Sequence, residues 1–430
     1  MRISAFGTAL LAWVVLGHPL PAAAQVDQQR AQEYFKEARA LCERDGGRLW
    51  GLSICAPMVI GDARTQTFAT SQPPPDAPRP PIIGLLNGPI QWGDTMWAAL
   101  SWDTIANWPA RTRGEAFLHE SFHIIQRSKG IAAPDPRRIG PDVQSENEHL
   151  DAAEGRYWLR LEWRALARAL RESGEPRALA VRDALDFRQV RHTRYPDHVI
   201  SEYALDMNEG LAAYTGTVLA APSAADAVAR ALELLTEAED GDSFVRTFSY
   251  TSGPAYGLLL DAASPGWTRK MSASDEPAVL LARALGVQAA PDPAAAAARY
   301  GGADLRAAED QRDQQRQARI AELRRRFIDG PVFVMPGGGS GYTDSHGALV
   351  IPDAGTVYFG KYIMSGPWGR LEAGNGVLIA TDGRTRRLPA PVRGDDTTIS
   401  GDGWTFKAAA DWVVHDGGRR GDYELVRRHP

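Results

Sequence analysis

His119 and His123 stand four residues apart, and Glu120 directly follows the first. In a helix this spacing stacks the two imidazoles on one face, about one turn apart, where both can reach a single cation. Glu120 lies beside such a site and is placed to remove a proton from a water bound there. The chemistry these residue types point to is zinc-assisted hydrolysis, with Zn2+ as the cofactor and Glu120 as general base. Phe117, Leu118, Phe122, Ile124 and Ile125 would bury much of the rest of the helix, hold the ligands rigidly and keep the site dry.

A catalytic zinc usually takes three protein ligands and keeps one position open. No third His follows a few residues downstream, so the metzincin pattern is absent. The remaining donor is a Glu on a later helix, and two segments offer one. Glu209 lies in Met207-Asn208-Glu209-Gly210-Leu211-Ala212-Ala213-Tyr214, whose small residues let that helix come close to the His helix. Glu154 lies in Leu150-Asp151-Ala152-Ala153-Glu154-Gly155-Arg156 and is nearer to His123. Glu209 is taken as the third ligand on its local sequence, although spacing favours Glu154. The one that is not a ligand is expected in a salt bridge. His149, His192 and His198 are each isolated in a charged segment and read as surface residues.

With these residues in view, the stretch 115–262 resembles gluzincin-type HExxH zinc metallopeptidases, in particular the catalytic domain of aminopeptidase N-like peptidases. Asn208-Glu209-Gly210-Leu211-Ala212 is similar to the Asn-Glu-Gly-Phe-Ala segment that supplies the third zinc ligand there. Phe248-Ser249-Tyr250-Thr251-Ser252-Gly253 is similar to the family's Tyr-x-x-Gly segment, and the resemblance implies that Tyr250 donates to a tetrahedral oxyanion. It also implies a zincin-like fold and a peptide or protein substrate. The Gly-x-Met-Glu-Asn segment that binds a substrate's free amine in those aminopeptidases is missing, so aminopeptidase specificity is not implied. In such folds an edge strand before the motif helix pairs with extended substrate, and Met96 to Trp102 stands in that place, where it reads equally well as an ordinary core strand.

The elements that must position these residues divide the chain into an α+β arrangement. Residues 1–24 read as a signal peptide, with Arg2, an apolar run from Ala5 to Gly17, and Ala22-Ala23-Ala24 as a small-residue cleavage site. Residues 25–111 form an N-terminal β-rich segment. A helix to residue 45 is followed by strands at Met58 to Ile60, Thr65 to Ala69, Ile82 to Leu86 and Met96 to Trp102, with a proline-rich loop from Pro73 to Pro81. Residues 112–300 form a mainly helical catalytic domain. Thr112 with Glu115 and Ser145 with Glu148 read as capping boxes, and Gly130 reads as a helix stop. Residues 301–329 form a charged helical linker, and residues 330–430 a separate small β-sandwich or barrel.

Composition limits the function classes. Net charge is −5 with both signs dispersed over 430 residues, which argues against nucleic-acid binding. No later segment is long and apolar enough to span a membrane once the leader is removed. Cys42 and Cys55 are the two cysteines, and in an exported, periplasmic or secreted protein they are expected to pair, stapling a hairpin around Asp45-Gly46-Gly47. The Gly-rich run from Gly337 to Gly341 lacks a following Gly-Lys-Ser/Thr and is a loop, not a phosphate cradle. A second class of function remains open: a non-catalytic envelope binding or scaffold protein in which the β-domain acts and the metal site is structural or degenerate.

Overall fold

A computed structural model describes residues 25–63, 65–84, 87–132, 147–287, 292–394 and 398–428. The signal-peptide expectation and Ser145 lie outside the described residues. The chain is α+β, with a helical N-terminal part and a C-terminal curled sheet in the form of a half-barrel. It divides into two compact units, and the division differs from the one composition suggests. The first unit takes residues up to Asn147, then Arg160–Gly241 and Arg246–Pro293; the second takes Glu148–Leu159, Asp242–Val245 and Ala294–Pro430.

The first unit opens with α1 (Gln28–Asp45), capped by Asp27, whose side chain accepts from Arg30 N–H, and ended by Gly46 in the left-handed region. A four-stranded sheet follows: β1 (Met58–Asp62), β2 (Thr67–Thr70), β3 (Gly88–Trp92) and β4 (Thr95–Ser101), in the order β2-β1-β4-β3. β1 and β4 run parallel, and the outer pairs are antiparallel. Side chains alternate between the faces. Met58, Ile60, Ala98 and Leu100 pack with Phe35 of α1 and with Phe117, and Val59, Ile90, Trp97 and Ala99 pack on the other side. β4 is therefore an inner strand covered on both faces, and β3 is the edge. Of the expected strand from Ile82 to Leu86, residues 82–84 form turns with an isolated bridge at Ile83, Leu85 and Leu86 lie outside the described residues, and the next paired strand starts at Gly88.

Beyond β4 come α2 (Trp102–Ile105) and α3 (Ala110–Ser128), the helix of the two His. The Thr112–Glu115 box is not used. α3 begins two residues earlier after Pro109, and Glu115 instead accepts from Arg230 Nε at 3.1 Å. Gly130 does end the helix, at φ 71°. The helical stretch continues with α4 (Ala153–Arg171, whose first turns belong to the second unit), α5 (Gly174–Arg194), α6 (Val199–Leu205), a π-helical turn (Asp206–Gly210), α7 (Leu211–Ala220), α8 (Ala224–Ala238), α9 (Phe248–Ala263), α10 (Trp267–Lys270) and α11 (Pro277–Leu285).

The second unit contains α12 (Pro293–Ala298), α13 (Gly302–Arg324) and strands β5 (Val332–Pro336), β6 (Ser340–Ile351), β7 (Gly355–Gly366), β8 (Gly369–Ala373), β9 (Val377–Ala380), β10 (Thr385–Pro389), β11 (Arg393–Gly394), β12 (Thr398–Gly401), β13 (Trp404–Ala408), β14 (Trp412–Asp416) and β15 (Tyr423–Arg427). All eleven strands belong to one sheet, ordered β11-β12-β13-β8-β7-β9-β10-β5-β15-β14 with β6 on β7. Of the expected sandwich or barrel, the barrel is the nearer: one ladder curls into a half-barrel around its own core of Phe333, Leu371, Leu388, Trp404 and Phe406. The charged helix is not a bare linker either. Ile320, Leu323 and Phe327 pack on Ile351, Val357 and Leu378.

Cys42 and Cys55 are disulfide-bonded, with Cα atoms 5.3 Å apart. The bridge joins the end of α1 to the segment before β1 and does not staple a hairpin. The loop it closes carries Trp50, fully buried with its ring centroid 4.6 Å from that of Phe122 on α3. Replacing both cysteines by Ser is expected to lower stability by about 2–4 kcal/mol. Urea unfolding monitored by tryptophan fluorescence measures this, and an unchanged midpoint would show that the bridge does not restrain the loop.

Candidate metal centre

α3 presents its functional side chains from a buried surface. Phe117, Leu118, Ser121, Phe122 and Ile125 are enclosed, and so are His119 and Glu120. α7 runs close against α3 because Gly216 lies over the backbone of Glu115, where a Cβ would collide with the carbonyl. That closeness brings the turn before α7 over the two imidazoles. Glu209 sits in the π-helical turn, in which Leu211 N–H reaches the carbonyl of Asp206, five residues back. π-turns of this kind recur at functional sites.

The geometry at the convergence is compact. Glu209 Oε2 lies 3.0 Å from His119 Nε2 and 3.4 Å from His123 Nε2, and the two nitrogens are 3.1 Å apart. Zinc with ligands at about 2.0–2.1 Å in a tetrahedron separates its ligand atoms by about 3.3–3.4 Å. The three donor atoms therefore already stand at about the spacing of one face of such a tetrahedron. One nitrogen from each His and a Glu120 oxygen also lie within 4.8 Å of one another.

The ring of His123 is held by Gln126, one turn further along α3. Gln126 Nε2 donates to the carbonyl of Met207 at 2.6 Å, so its Oε1 faces His123 Nδ1, 3.2 Å away, and accepts from it. A proton on Nδ1 leaves the Nε2 lone pair directed at the site, the tautomer that binds metal. The signal was present in sequence as a Gln three residues after the second His.

Tyr250 enters from the start of α9. Its hydroxyl donates to Glu209 Oε2 at 2.6 Å, and its ring lies 8° from parallel to that of His119. It is 38% exposed, so it forms the solvent-facing rim. α9 reaches the π-turn because Gly253 touches the backbone of Gly210.

The electrostatics follow from burial and these contacts. Burial opposes charge on Glu209, but hydrogen bonds from His119 and His123 outweigh it and hold the carboxyl far below the usual range. Burial pushes Glu120 up to about 7, with His123 pulling the other way. His119 is shifted down, chiefly by burial. Burial would also lower His123, yet Glu209, Glu120 and Gln126 reverse the direction. Burial and Glu209 raise Tyr250, which stays a neutral donor.

No protein-family model, curated protein or solved structure matches the chain.

Other candidates are placed elsewhere. Glu154 belongs to the second unit, where it pairs with Arg306 at 2.6 Å and accepts from Trp158 Nε1 at 2.9 Å. His149, His192 and His198 are not the surface residues their charged surroundings suggest. His149 is buried in the short 3-10 turn before α4, and His192 and His198 are half-buried. His192 Nε2 lies 3.1 Å from Glu202, because the charged residues around it turn inward to pair with one another. Trp163 is core, donating to Ser252 at 2.9 Å.

The Gly210–Gly253 crossing gives a contrast. Gly253→Ala drives a methyl into the Gly210 carbonyl and is expected to cost about 1–3 kcal/mol. A Cβ on Gly210 meets nothing nearer than 3.4 Å, so Gly210→Ala should be neutral or gain up to about 1 kcal/mol of helix propensity. Urea titration of the two variants measures the difference. Equal effects would mean that the crossing is not set by these glycines.

Proposed function

We propose that the chain is an exported zinc-dependent hydrolase, a peptidase of gluzincin-like type with a zincin-like core, acting on peptide or protein substrates. The observation that carries the reading is the meeting of Glu209 Oε2 with His119 and His123 Nε2 at 3.0 and 3.4 Å. Two further observations support it. The imidazole of His123 is oriented by Gln126 Oε1 at Nδ1, which leaves Nε2 facing the site, and Glu120 lies buried beside both rings. The leader-like first 24 residues and the disulfide support export.

His119, His123 and Glu209 would hold the ion. Bound zinc supplies a Lewis acid that polarises the scissile carbonyl and acidifies the attacking water. Glu120 would take a proton from the attacking water on its carboxylate and return it to the departing amine nitrogen. The low-dielectric surroundings that raise Glu120 make its protonated form accessible for the second transfer. Tyr250, whose hydroxyl now donates to Glu209 at 2.6 Å, would donate it to the developing oxyanion instead. Exposure at Tyr250 supports a catalytic role over a structural one, since a structural zinc site is closed by four protein ligands.

The full chain purified without chelator is expected to carry one zinc per molecule by plasma emission and to hydrolyse a denatured protein mixture. Glu120→Gln should keep the zinc and lose activity by about 10²–10⁴-fold, and Tyr250→Phe should lose less. Equal hydrolysis by wild type and Glu120→Gln would refute the mechanism.

A further inference from the structure

The π-turn that carries Glu209 is tethered on two flanks. On one, Gln126 of α3 binds the Met207 carbonyl. On the other, Arg188 of α5 reaches Asp206 Oδ2 with Nη2 at 2.6 Å, and both side chains are buried. Arg188 is shared with Glu276, ahead of α11, at 2.7 Å and with Glu162 of α4 at 3.5 Å. Arg191, one turn along α5, binds Glu162 at 2.6 Å and Glu202 of α6 at 2.7 Å. Tyr256 of α9 donates to Glu162 at 2.7 Å. A charged layer thus ties helices of the first unit together behind the metal centre.

This layer holds more acid than base: Glu162, Glu202, Asp206 and Glu276 surround two guanidinium groups, Arg188 and Arg191. Asp206 is the member the fold needs least, since Arg188 keeps two other carboxylates without it. Packing does not explain it either, because a small cavity lined by Asp206, Gly210, Gly253, Tyr256 and Gly257 lies beside it. What Asp206 does have is place, three residues before Glu209 at the start of the π-turn. A π-turn inserts an extra residue into the helix and swings the side chains that follow it. Fixing its first residue fixes the direction of Glu209.

We infer that Asp206, anchored by Arg188, is a positioning residue that aims Glu209 at His119 and His123. The inference rests on the metal-site reading. Its role is in ligand geometry and not in global stability, so the two can be measured apart.

The test uses the full chain, with Zn2+ titrated against a competing chelator and Co2+ as a spectroscopic substitute. Asp206→Ala is expected to bind zinc about 10–100-fold more weakly and to give an altered, weaker cobalt visible spectrum. The apo-protein melting temperature should move by no more than about 3 °C. Asp206→Asn, whose amide oxygen still accepts from Arg188, should bind about fivefold more weakly than wild type. Glu239→Ala, which removes pairs to Arg160 and Arg164 in the same unit, should leave zinc affinity unchanged. Wild-type affinity in Asp206→Ala, or in Asp206→Asn should the Ala variant fail to fold, overturns the positioning role and leaves the metal site standing. Absence of zinc binding by the wild type overturns both.

Discussion

Three lone-pair-bearing atoms on three side chains are held within 3.4 Å of one another in a largely buried setting. Two imidazole nitrogens that face each other at 3.1 Å repel unless a proton or a cation lies between them and the carboxylate. That convergence is costly, and the surrounding structure is arranged to enforce it. Gly216 lets α7 lie against the backbone of α3, Gly253 lets α9 lie against Gly210, and Gln126 fixes both the His123 ring and the Met207 carbonyl. The donor set so assembled is compatible with one shared cation.

The rest of the first unit acts as the support. The sheet and α1 bury one side of α3 through Phe117, and Trp50, placed by the disulfide loop, packs on Phe122. Behind the π-turn lies a layer of paired charges rather than apolar packing. Buried ion pairs are poor sources of net stability but impose direction, because each hydrogen bond has one good geometry. Direction is what the proposed role of Glu209 needs.

The sequence made the His helix legible because its chemistry is local: two imidazoles and a carboxylate within five residues, on an apolar face. Gly130 was readable as a stop for the same reason. Glu209 was readable only through its neighbours Asn208 and Gly210, since 86 residues separate it from His123 and no spacing rule spans that distance. The helices between turn out to carry Arg188 and Arg191, the support for the turn. That turn, and the part Asp206 plays in it, left no trace in periodicity, because a π-insertion depends on tertiary contacts. Thr112 and Glu115 matched a capping box by type, but Glu115 had a better partner in Arg230. The strand at Met96 to Trp102 was visible, whereas its inner position depends on β3, a short strand beginning Gly88-Pro89 that carries little strand signal. In the C-terminal unit the residues read as a sandwich or a barrel, and the choice between them rests on long-range pairing such as β15 on β5, which puts all the strands in one curled ladder.

The central claim is that His119, His123 and Glu209 share one ion. Anomalous diffraction at the zinc edge, from crystals of the full chain equilibrated with zinc, tests it most directly. A single peak is expected about 2.0–2.2 Å from both Nε2 atoms and from one Glu209 oxygen, with Glu120 beside it and unligated. A peak elsewhere, or none while Glu209 remains hydrogen-bonded to the two imidazoles, would contradict it.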